Sequence, residues 1–76
     1  MANRERTRPS WKQLRSSRRL IKQLEREGWY LHKVKGDHHH FKHDTQLGKV
    51  TVPHPRKDTP INTLRRIYQQ AGWDWN

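Results

Sequence analysis

The chain has 76 residues, 17 Lys or Arg against 7 Asp or Glu, and only 29% apolar side chains, so one small domain with a compact core is the ceiling and a two-domain enzyme is excluded. It contains no cysteine, which removes disulfide staples, thiolate metal sites and cysteine nucleophiles, and points to a reducing, cytoplasmic setting. Apolar runs of two or three residues fall far short of the roughly 18 that cross a bilayer, and the N-terminus lacks a signal-peptide pattern, so neither membrane nor export is expected. A formal net charge of +10 suggests a polyanionic partner, yet low hydrophobicity with high charge is also the composition of disorder. The placement of the charge separates the two readings.

Met1 to Arg19 holds seven basic residues and one acid, more than half of the net charge, with Trp11 and Leu14 as its large apolar side chains. Residues 1–15 therefore read as a mobile basic arm, with a short helical extension from Ser10 as a further expectation, and residues 16–76 as a single domain. In that domain Ser16 or Ser17 caps a helix in which Leu20, Ile21 and Leu24 form one stripe, and Gly28 sits where a left-handed residue ends it. Trp29 to Lys35 reads as a strand that turns at Gly36-Asp37 into a second strand, His38 or His39 to His43. A third strand, Lys49 to Val52, stops at Pro53, and Pro53-His54-Pro55 forms a stiff extended link. Thr59 then serves as the N-cap of a second helix with Pro60 at its first position, carrying Ile61, Leu64, Ile67, Tyr68 and Ala71 inward and closing at Gly72. The expected fold class is α+β, α-β-β-β-α, with a three-stranded antiparallel sheet and two helices on one face.

Period-two alternation assigns the faces. Val50, Val52 and Phe41 point to the helices together with His39 and His43, while His38, His40 and Lys42 point to the open face. In the first strand Tyr30 and Val34 are expected inward, which places Lys33 and Lys35 beside the histidines on the open face. Trp73 and Trp75 either stack on bases or cover an apolar edge of the core.

Four of the six histidines lie between His38 and His43. For His32, His39 and His43 the plain reading is a half-buried polar strand residue with satisfied ring nitrogens. His38-x-His40 places two rings on one face, as a metal site would, with a third ligand required from His54 or an acid. The remaining reading is proton transfer on RNA, which carries its own nucleophile in the ribose 2′-hydroxyl and needs a base, cations around the phosphorane and an acid for the 5′-oxygen. The open-face histidines His38 and His40 are the candidates for that base. Lys33, Lys35, Lys42 and Lys49 are the candidate RNA-binding cations, and the scheme requires neither a metal nor a small-molecule cofactor. A non-catalytic RNA-binding module with the same basic surface, or a small DNA-associated protein, fits the same composition.

The segments Ser17-Arg18-Arg19-Leu20-Ile21-Lys22-Gln23-Leu24, Gly28-Trp29, Gly36-Asp37-His38-His39-His40-Phe41-Lys42-His43, Val50-Thr51-Val52-Pro53-His54-Pro55, Lys57-Asp58 and Ala71-Gly72 together resemble the HicA family of mRNA-interferase toxins. The resemblance spans about Ser16 to Trp73. It implies a double-stranded-RNA-binding-domain-like frame, ribosome-independent cleavage of mRNA, growth arrest, and inhibition by a cognate HicB antitoxin. It also implies that His38, the histidine that follows the hairpin glycine, is the catalytic one. Where many members of that family have serine, this chain has Asp37. The basic leader and the Trp73-Asp74-Trp75 end lie outside the family pattern.

Overall fold

A computed structural model of the chain describes residues 14–75. The helical extension expected from Ser10, and all of the arm before Leu14, lie outside the described residues. The elements run α1 (Ser17–Arg26), β1 (Tyr30–Lys35), β2 (His38–Lys42), β3 (Val50–Pro53) and α2 (Ile61–Ala71), which is the expected α-β-β-β-α order. Among the described residues no helix is long and apolar enough to cross a membrane.

Ser16 has extended backbone angles and its hydroxyl accepts the Arg19 N–H at 3.2 Å, satisfying one of the free donors at the start of α1. Leu20 and Leu24, four residues apart, are both fully buried. Each contributes on the order of 1.5–3 kcal/mol by leaving water. Gly28, at φ 94°, lets the chain turn back immediately after the helix, and the Trp29 N–H closes on Leu24 O at 3.0 Å.

The sheet is antiparallel in the order β1-β2-β3. Its inward side carries Phe41, Val50 and Val52, which pack with Leu64, Ile67 and Tyr68 of α2 and with Trp29. Both helices pack on β3. The inward side of β1 is therefore left partly open, with Leu31 and Val34 each 49% exposed. Strand alternation fails at one point. Leu31 stands opposite Phe41 and Val34 opposite His39, because the register shifts between Leu31 and Lys33. That bulge adds one residue on β1 and puts Leu31 and Val34 on the same face. Tyr30, expected inward, instead lies opposite Lys42 on the open face and is 47% exposed.

The start of α2 also departs from expectation. Leu64 N–H bonds to Pro60 O at 2.8 Å, so Pro60 is the capping position, and no side chain caps the helix. Thr59 is fully buried with no partner for its hydroxyl, while its N–H bonds to Arg15 O at 3.0 Å. Arg15 Nε in turn meets Asp58 at 2.8 Å, and Leu14 is buried in the core, so these two residues are held against the domain. Gly72, at φ 77°, ends α2, and Trp73 folds back so that its indole is buried edge-on to Tyr68. Of the two uses open to Trp73, covering the core is the one it has.

Candidate functional site

β2 runs regularly, and its outward positions carry His38 and His40 side by side, their rings 6.4 Å apart and 13° from parallel. Directly across the ladder stand Lys35 opposite His38 and Lys33 opposite His40, with Lys42 opposite Tyr30. Cross-strand partners share a face, so three of the four lysines expected to bind RNA surround the histidine pair. On the other flank Thr51 faces His40, and its hydroxyl lies 2.8 Å from His40 Nδ1. Sequence reasoning missed that bond, although β3 alternation places Thr51 there. Partial burial, followed by the charges of Lys49 and His38 and then Lys33 and His32, holds the His40 ring below the ordinary histidine range and favours its neutral form. Lys49, the fourth lysine, thus acts on His40 from just before β3.

The β1–β2 turn brings Asp37 beside this pair. Its carboxylate accepts the Arg56 guanidinium at 2.6 Å, and its other oxygen lies 3.3 Å from His38 Nδ1. The Arg56 hydrogen bond, reinforced by the charges of Arg56 and His38, outweighs partial desolvation and keeps the carboxyl below its usual 3.8. Asp37 is therefore ionised and largely neutralised by Arg56, while still facing the imidazole. Arg56 had no sequence signal for this role, since the contact spans 19 residues and depends on the path of the loop after β3.

The other histidines take different places. His43 has both ring nitrogens engaged, Nε2 with Glu27 O at 2.8 Å and Nδ1 with the Thr45 N–H at 3.1 Å, as a structural strand residue should. His39 does not fit that expectation: its Nδ1 is buried and unpartnered. His32 does not fit it either, being exposed at the β1 bulge. His54 leans edge-on against His39, 5.0 Å away on the inward side, with its Nδ1 2.6 Å from the buried Ser17 hydroxyl. Its ring is thus grouped with His39 rather than with His38 and His40. Among the described residues no three His, Asp or Glu side chains converge as metal ligands would.

The frame and this face define a small basic α+β protein that presents a lysine-flanked histidine pair on an open sheet. The family model described as HicA toxin of bacterial toxin-antitoxin matches residues 17–73, from the first residue of α1 to the indole behind α2. The chain belongs to the HicA toxin family, which makes it the toxin of a toxin–antitoxin pair with an antitoxin as partner. No curated protein matches the chain.

Proposed function

We propose that the chain is an endoribonuclease that cleaves mRNA in the cytoplasm, needs no metal, and is inhibited by a cognate HicB-type antitoxin. The observation that supports this is the stacked His38–His40 pair with Lys35 and Lys33 directly across the ladder, in a chain of this family. With Asp37 facing Nδ1 of His38, the proton is favoured on Nδ1 and the Nε2 lone pair is left to act as base. Nε2 takes the proton of the ribose 2′-hydroxyl, the 2′-oxygen attacks the adjacent phosphorus, and the bond from phosphorus to the 5′-oxygen breaks. Lys35 supplies the proton to the departing oxygen, which leaves a 2′,3′-cyclic phosphate and a 5′-hydroxyl. Lys33, Lys42 and Lys49 offset the charge of the phosphorane. His40, held neutral and oriented by Thr51, is the second base candidate. The basic arm of residues 1–15, with Leu14 and Arg15 seated on the domain, adds affinity for the polyanion.

The test pairs His38→Ala with wild type in two assays: growth after expression without antitoxin, and cleavage of RNA in excess chelator. The variant is expected to keep its circular dichroism spectrum, lose growth arrest, and cleave about 10²–10⁴-fold more slowly. A folded His38→Ala protein that cleaves at the wild-type rate removes His38 from the mechanism. Wild-type protein that retards RNA but leaves its ends unchanged supports a non-catalytic RNA-binding module instead.

A further inference from the structure

α1 carries Arg18, Arg19, Lys22 and Arg26 against a single acid, Glu25, and has no acid in its first turn. Arg18 and Arg19 stand at the end of the helix where the peptide dipoles are positive and a cation is disfavoured. Arg18 with Lys22, and Lys22 with Arg26, are like-charge pairs at a four-residue spacing, which destabilise a helix. Among the described residues, Arg18, Lys22, Arg26 and Lys57 are paired with no carboxylate. A helix that concentrates unrelieved positive charge in this way conflicts with its own local stability, and such conflicts mark places where a ligand completes the electrostatics.

The same cations line three hollows that have Arg18 in common. Arg18 borders a groove of about 550 Å³ walled by His54, Pro55, Arg56 and Lys57. A second hollow, of about 220 Å³, is lined by Arg18, Lys22 and His54 with the single acid Glu25, and a third, of about 370 Å³, is lined by Arg18, Arg19, Lys22 and Arg26. Arg56, which walls the groove, also holds Asp37 next to His38. Arg56 therefore stands between the groove beside α1 and the turn that carries Asp37 and His38.

We propose that this face is a second RNA-binding surface, on which the ribose–phosphate backbone flanking the cut runs through the His54–Lys57 groove and along α1. It rests on the RNA reading of the open face given above, and it adds residues that lie off that face. A four-residue step along a helix advances about 6 Å, the scale on which successive phosphates follow one another along a nucleic-acid strand. The regular spacing of Arg18, Lys22 and Arg26 and the Arg56–Asp37 contact toward His38 favour a phosphate backbone over an acidic protein.

The test measures binding of a 20-nucleotide single-stranded RNA by fluorescence anisotropy across a salt series, in a His38→Ala background that holds the RNA uncut. Arg18→Gln, Lys22→Gln and Arg26→Gln are combined, since Gln keeps helix propensity close to that of Lys and Arg. The slope of log affinity against log salt is expected to flatten by about 2, roughly 0.7 for each phosphate no longer neutralised, with affinity at low salt falling at least about 10-fold. Lys57→Gln alone should flatten it by about 0.7 and provides the check if the triple variant does not fold. Unchanged slopes in both variants overturn the proposal. So does a triple variant that binds RNA with the wild-type slope but no longer co-purifies with co-expressed antitoxin, because the face then belongs to the protein partner. If wild type fails to cleave RNA while the slope still flattens, the activity falls and this surface stands. If wild type cleaves and the slopes do not move, the surface falls and the activity stands.

Discussion

Asp37 Oδ1 lies 3.3 Å from His38 Nδ1, which puts a carboxylate directly behind the proposed base. Arg56 binds the other carboxylate oxygen at 2.6 Å and keeps the group ionised. Asp37→Asn retains an acceptor for Nδ1–H and removes the charge. Without that charge Nδ1–H is held by a weaker acceptor and the Nε2 lone pair is less firmly oriented, so cleavage at neutral pH is expected to slow by about 10-fold or less. The stability consequence has a definite sign. A carboxyl lowered in the folded state contributes stability above its unfolded value of 3.8, and that contribution is lost as pH falls through the lowered folded value. Wild type should therefore melt above Asp37→Asn at neutral pH and coincide with it in strong acid. Cleavage by Asp37→Asn at the wild-type rate would show that the carboxylate does not act on His38.

Ser17 is 1% exposed, and its hydroxyl joins the first turn of α1 to the loop after β3. It accepts the Arg56 N–H at 2.8 Å, lies 3.2 Å from Arg56 O, and lies 2.6 Å from His54 Nδ1. Its single proton is directed at Arg56 O, and the imidazole tautomer sets the direction of the 2.6 Å contact with His54 Nδ1. Ser17→Ala leaves the Arg56 N–H and the His54 nitrogen without partners, at a cost of about 1–3 kcal/mol. Thermal unfolding should fall by roughly 4–8 °C for each kcal/mol in a domain of this size. A melting point within a degree of wild type would mean that water replaces the hydroxyl.

Trp73 donates its indole N–H to Glu27 at 2.8 Å and presents its ring edge-on to Tyr68, 5.1 Å between centroids. Trp73→Phe keeps a ring against Tyr68 and removes the donor. The loss should be about 0.5–1.5 kcal/mol in denaturant unfolding, with RNA affinity unchanged. A drop in RNA affinity without loss of stability would return Trp73 to base stacking. Trp75 covers Tyr68 from a second side, and its ring lies 5.1 Å below the Arg65 guanidinium.

What could be read in the chain and what could not follow from the range of the interactions. The helices were legible because Leu20, Leu24, Leu64 and Ile67 repeat at short spacing and Ser16, Gly28 and Gly72 mark ends through local backbone chemistry. The open-face histidines were legible because β2 holds strict alternation from His38 to Lys42. Tyr30 was misplaced because a single inserted residue in β1 reverses the parity of everything before it. Thr59 was misassigned because its backbone is drawn to Arg15 and its side chain into the core, which overrides its local preference for capping. The contacts of Asp37 with Arg56 and of Ser17 with His54 span 19 and 37 residues, and no local pattern encodes them.

Gly28 and Gly72 end the two helices with the same left-handed backbone, φ 94° and 77°, yet they should not tolerate a methyl group equally. A Cβ at Gly72 meets nothing within 4 Å, whereas one at Gly28 comes within 2.9 Å of His43 Nε2. That ring cannot swing aside freely. Thr45 donates its N–H to Nδ1 at 3.1 Å, so Nε2 carries the proton and donates to Glu27 O at 2.8 Å, while Trp29 packs edge-on at 5.2 Å. Both alanine variants bear about 1–2 kcal/mol for the left-handed conformation. Gly28→Ala must in addition displace a histidine fixed by two hydrogen bonds, each worth about 0.5–1.5 kcal/mol. Chemical denaturation is therefore expected to place Gly28→Ala at least about 1 kcal/mol below Gly72→Ala. Equal losses would mean that the link from α1 through His43 to the end of β2 yields easily, and that the helix end does not depend on the histidine behind it.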